Sequence, residues 1–152
     1  MVYSNEKRCN YNYAGASGNV YASTMFFTDV NAFNALTNTT LVEDFEAFPQ
    51  KDRRLSSFIS NGNTYTGLAG GPAPNVVVAS PGYTNFGVPV TTSSILTTTG
   101  HEDFTVEFGT PTEAVGFDTY LNGFAPATVR VFGATGLLDT FVLCYKVFRN
   151  TC

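Results

Sequence analysis

Three of the twelve acidic residues fall within four positions, Glu43-Asp44-Phe45-Glu46, and no other stretch gathers carboxylates so densely. Side chains alternate along a strand, so an extended segment here sets Asp44 and Glu46 on one face with Cα atoms about 6.8 Å apart. Two carboxyl groups flanking a glycosidic bond can divide acid and base work between them. The segment does not follow the E-x-D-x-x-E spacing of jelly-roll glycosidases, and two carboxylates without an aromatic sugar platform make a thin site. The plainer expectation is Phe45 turned inward and the acids turned to water. The same oxygens also suit a structural Ca2+, which takes about six to eight oxygen ligands and is often held at strand ends. Glu43, Asp44 and Glu46 are the candidate ligands, with Asp118 and Asp139 as second-choice donors.

The single histidine, His101, stands in Gly100-His101-Glu102-Asp103 ahead of an alternating segment. A Ser–His–Asp triad would have to use it. No G-x-S-x-G elbow is present, and adjacent strand residues point to opposite faces, so the expectation is a solvated turn histidine. Cys9, Cys144 and Cys152 are odd in number: at most one intramolecular disulfide forms, and no C-x-x-C spacing points to zinc or redox chemistry. Sugar binding needs flat aromatic surfaces, and ligand sites favour loops on a rigid scaffold. Tyr65, Tyr83 and Tyr120 lie in or near such loops and are the candidate ligand-binding rings. Trp, the favoured stacking partner, is absent. The plainer expectation for each tyrosine is a half-buried strand-end residue whose tip stays wet.

The elements that must position these groups follow from composition. Apolar residues make up 43% of the chain and charged residues 13%, which argues against disorder. The net charge is −4 with only eight Lys plus Arg, so no basic stripe is available for nucleic acid. No apolar run approaches the ~18 residues of a membrane span. Fourteen Phe and eight Tyr stand among many Val and Thr, while fourteen Gly and seven Pro punctuate the chain at short intervals. That is the pattern of short strands joined by turns.

Residues 1–24, rich in Asn, Tyr, Gly and Ser, lack the apolar core of a secretory signal and read as an extension rather than a strand. Thr28 or Asp29 can cap one short helix over 29–37, with Val30, Phe33 and Leu36 at helical spacing. Strands are expected at 41–46, 65–68, 75–79, 104–108, 114–120, 128–132 and 137–142. The last two flank Gly133-Ala134-Thr135-Gly136, a hairpin signal. Phe104-Thr105-Val106-Glu107-Phe108 alternates with three apolar residues on one face. Seven such strands predict an all-β fold, an antiparallel β-sandwich of jelly-roll type with one short N-terminal helix.

Residues 26–143 also resemble a group of secreted bacterial β-sandwich proteins that often carry a PEP-CTERM sorting tail. The resemblance lies in Phe27-Thr28-Asp29-Val30-Asn31-Ala32-Phe33-Asn34-Ala35-Leu36, in Asp44-Phe45-Glu46, in Phe108 to Asp118, and in Val129 to Leu138. It implies a sandwich similar to carbohydrate-binding modules and an extracellular or cell-surface location. The family continues beyond this point with further strands; here the chain runs into Cys144-Tyr145-Lys146-Val147-Phe148-Arg149-Asn150-Thr151-Cys152. The expected organisation is an extension over 1–24, a sandwich over 25–143 and an atypical tail over 144–152. A sandwich lacking its last strands leaves an open edge, which predicts a homo-oligomer formed through that edge. The leading functional expectation is a non-catalytic extracellular binding or surface module, with carbohydrate as the first ligand class. A self-associating structural protein comes next, and a glycan-active enzyme using Asp44 and Glu46 third.

Overall fold

The computed structural model describes residues 2–4, 24–38, 41–67, 76–83, 90–99, 103–118 and 126–143. In chain order the elements are β1 (Val2–Ser4), β2 (Phe26–Phe27), α1 (Val30–Leu36), β3 (Ser57–Ser60), β4 (Asn63–Gly67), β5 (Val76–Ala79), β6 (Ile95–Thr98), β7 (Phe104–Glu107), β8 (Val115–Phe117), β9 (Ala127–Gly133) and β10 (Gly136–Leu143). Among the described residues strands predominate and there is one short helix, as the composition predicts. The chain forms two compact units, one of residues 39–112 and one of 1–38 with 113–152.

In the second of these units β1 is the middle strand of the order β2-β1-β8. It runs parallel to both neighbours, with Val2 opposite Phe26 and Val115, and Tyr3 opposite Phe27 and Gly116. This corrects two expectations: the stretch 1–24 contains a strand, and the pairing is not antiparallel throughout. Parallel neighbours need long connections, and the 21 residues between β1 and β2 supply one.

Helix α1 begins where Asp29 caps it. The Asp29 carboxylate accepts from the amides of Asn31 at 2.7 Å and Ala32 at 3.0 Å, answering two of the donors that a helix start leaves open. At the other end the Thr37 hydroxyl donates to the Phe33 carbonyl at 3.0 Å. Seven residues are too few to hold a helix alone, so packing must do it. Of the expected apolar stripe only Phe33 is buried, edge-on to Phe27 with ring centroids 6.1 Å apart; Val30 and Leu36 are exposed.

The β9–β10 hairpin closes at Ala134-Thr135, as the flanking glycines predict, with Gly136 at φ 118. Phe141 and Leu143 are buried, and Phe141 stacks on Phe26 at 4.8 Å. The ladder then slips between Leu137 and Asp139: Leu137 opposes Phe132, Asp139 opposes Val131, and Leu138 is the extra residue of a bulge. In a regular strand Leu137 would share the inward face of Asp139, Phe141 and Leu143. The bulge instead brings Leu137 to the outward side beside Phe132.

The unit of residues 39–112 is built on two antiparallel sheets, β3-β4-β7 and β5-β6. β3 and β4 are joined by Asn61-Gly62, with φ values of 47 and 79, the left-handed pair that a two-residue hairpin turn demands. β5 is buried along its whole length; Leu55 pairs with Val76 on one side of it and β6 lies on the other. Phe58, Tyr65, Val76 and Val78 form the core, with Phe45, Phe48, Leu55, Leu96 and Val106 packed against it. Phe58 and Tyr65 stack at 4.9 Å, and Phe45 meets Tyr65 edge-on at 5.4 Å. The alternation in Phe104 to Phe108 is real, yet only Val106 of its apolar residues is even half-buried. β3 and β6 are strands the sequence pattern does not announce, because Ser57-Phe58-Ile59-Ser60 and Ile95-Leu96-Thr97-Thr98 are short and rich in hydroxyl side chains.

Candidate functional site

The acidic segment is not a strand. Phe45 has φ 58, a left-handed conformation that a ladder cannot contain, and a turn follows at Glu46. The cause is local: the Glu43 carboxylate accepts from the Phe45 amide at 2.9 Å, and that of Asp44 from the Glu46 amide at 3.0 Å. Acidic side chains that answer backbone amides two residues on offer the chain a turn in place of a ladder. Asp44 and Glu46 therefore do not present the one-face carboxylate pair that a strand would have given. Phe45 does face the core, where it packs against Phe58 and Tyr65.

Each acid has a separate task. Glu43 also accepts from the Asn61 side-chain amide at 2.9 Å, tying the turn to the β3–β4 hairpin. Glu46 accepts from the Ser94 amide at 2.7 Å and the Ser94 hydroxyl at 3.1 Å, with Lys51 Nζ at 3.3 Å. Asp52, at φ 62, does the same to Ser80, whose amide lies at 2.9 Å and hydroxyl at 2.5 Å. The Ser94 amide, chiefly, holds the Glu46 carboxyl below its usual range; the Ser80 hydroxyl and amide do so for Asp52. Asp52, Ser80 and Ser94 escaped the sequence reading. Their one visible signal is the turn chemistry of Ser80-Pro81-Gly82.

Among the described residues no group of three His, Cys, Asp or Glu side chains is placed to hold a metal ion, so Glu43, Asp44 and Glu46 are not brought together as a calcium cage. Of the second-choice donors, Asp118 is exposed and Asp139 accepts from the Thr24 hydroxyl and the Thr140 amide.

The three tyrosines part company. Tyr65 is 5% exposed in the middle of β4, so its face is core and not a sugar platform. Burial, with the Glu43 charge adding to it, pushes its hydroxyl above the ordinary phenol range. Tyr83 is half-buried, its amide donating to the Ser80 carbonyl and its carbonyl accepting from the Thr91 amide. Tyr120, His101, Cys9, Cys144 and Cys152 lie outside the described residues.

A second feature is apolar. Phe132 is 60% exposed, its cross-strand partner Leu137 56% and the bulge residue Leu138 40%. Leu138 lies over Gly133, where a β-carbon would come within 3.0 Å of its side chain. Comparison with protein-family models, with curated proteins and with solved structures returned no match.

Proposed function

We propose that this protein is a non-catalytic binding or surface module that works by apolar contact, its partner being a second copy of the chain. The observation that carries this reading is the end of the β9–β10 hairpin, where Phe132, Leu137 and Leu138 are presented to solvent by a bulge. Contiguous exposed apolar side chains mark contact surfaces more often than isolated ones do. The polar side chains point the same way. Asp44 and Glu46 accept from backbone amides and the Tyr65 ring is inside the core, which weighs against a glycosidase or sugar site built on them. The resemblance to secreted bacterial β-sandwich proteins supports placing this module outside the cell or at its surface.

Sedimentation velocity over a wide concentration range tests the reading. The wild-type chain is expected to associate, and Phe132→Ser with Leu137→Ser to return it to monomer without loss of fold. A wild-type chain that stays monomeric at the highest concentration, or a double variant that associates as before, overturns it. Hits on a glycan array would move carbohydrate binding, with Tyr83 as the described candidate ring, ahead of self-association.

A further inference from the structure

Two carboxylates of the segment 46–52 grip two serines at one end of the β5–β6 pair. Ser80 directly follows β5 and Ser94 directly precedes β6, while their neighbours Ala79 and Ile95 are ladder partners. Asp52 and Glu46 therefore hold the same end of the β5–β6 pair, each through a backbone amide and a hydroxyl. The turn is joined to β5 by backbone as well, the Asp52 amide donating to the Val78 carbonyl at 2.8 Å. We propose that Glu46 and Asp52 form an acid-operated latch: protonating both carboxyls releases the turn of residues 44–54 from the β5–β6 hairpin while β3 and β4 stay paired.

The argument rests on what a carboxylate can accept. Ionised, it takes both serine donors in charge-assisted bonds; protonated, it loses the charge and gives one oxygen over to a donor. The charged surroundings are simple. Lys51 is the cation at Glu46, the Asp44 carboxylate sits on the Glu46 amide, and Arg53 and Arg54 follow Asp52 along the chain. β5 and β6 carry no titratable side chain, so nothing from the hairpin replaces the lost charge. Both carboxyls titrate lower in the folded protein than free in water. Their contribution is thus complete above the ordinary carboxylate pKa of about 4 and is lost as the pH falls through the lower folded values.

Amide hydrogen exchange on the full chain, corrected for the intrinsic rate at each pH, reads the latch directly. Between pH 7 and pH 2 the Asp52, Ser80 and Ser94 amides are expected to lose protection several-fold, while the Phe58 and Tyr65 amides of the β3–β4 ladder keep theirs. The double variant Glu46→Gln, Asp52→Asn is expected to show the acid pattern already at pH 7. Equal protection of the three amides at both pH values overturns the proposal. So does their loss together with Phe58 and Tyr65, which is global unfolding, or a double variant fully protected at pH 7.

Discussion

Glu43, Asp44 and Glu46 show how much the partner of a carboxylate matters. All three read from sequence as strand side chains able to serve a sugar or a calcium ion, and in the structure each answers a nearby amide instead. The alternation that predicted a strand was correct as a pattern: Phe45 is inward. What the pattern could not carry is the sign of φ at Phe45, which depends on the Glu43 carboxylate finding the Phe45 amide. Because Glu43 and Glu46 are already engaged, a thermal melt in EDTA and in millimolar calcium should give the same midpoint. A ligand at about 100 times its dissociation constant would add about 2.7 kcal/mol. That would raise the midpoint by several degrees in a chain of this size, so a shift of that order would restore the calcium reading. Tyr65 carries a parallel lesson. The sequence sets it at the start of a strand just after Asn61-Gly62-Asn63, and only the stacking of its ring on Phe58 reveals a core residue in mid-strand.

At the scale of elements, turns proved the most legible part of the chain. The glycines around Ala134-Thr135 announce a hairpin because its turn needs a backbone conformation that few residues tolerate. Gly136, at φ 118, makes this testable: Gly136→Ala should destabilise the protein by about 1–3 kcal/mol in urea unfolding, although open space surrounds the site. A loss of a few tenths would mean the turn relaxes without cost. Strands without such punctuation were harder. β1 was invisible because its pairing is parallel and its partners stand 24 and 113 residues on from Val2, and no local periodicity encodes a contact at that distance. The helix was legible from Asp29 and the 3.6-residue spacing, but which of its apolar residues would be covered was not. That depends on Phe27 arriving beside Phe33.

For the whole molecule, composition settled the class and left the arrangement open. High aromatic and β-branched content with frequent Gly and Pro leads to a strand-rich protein, and so it is. The layering of sheets depends on contacts between distant segments. Net charge acts at this scale too. At −4 two copies would repel one another weakly, so the proposed association through apolar side chains should strengthen, not weaken, as added salt screens that repulsion. Sedimentation at low and at about 0.5 M sodium chloride checks this; dissociation in salt would point to an electrostatic contact instead.

The bulge at Leu138 has one more effect. Strand side chains keep even and odd positions on opposite faces, so an ordinary β10 would make Leu137 obey the same parity as Phe141 and Leu143. One extra residue resets that count. After it Phe141 and Leu143 answer to the interior and Thr140 to solvent, while Leu137 before it, with Phe132 across the ladder, is turned outward. Mutation can therefore rewrite the outer end of the hairpin without asking the buried half to change.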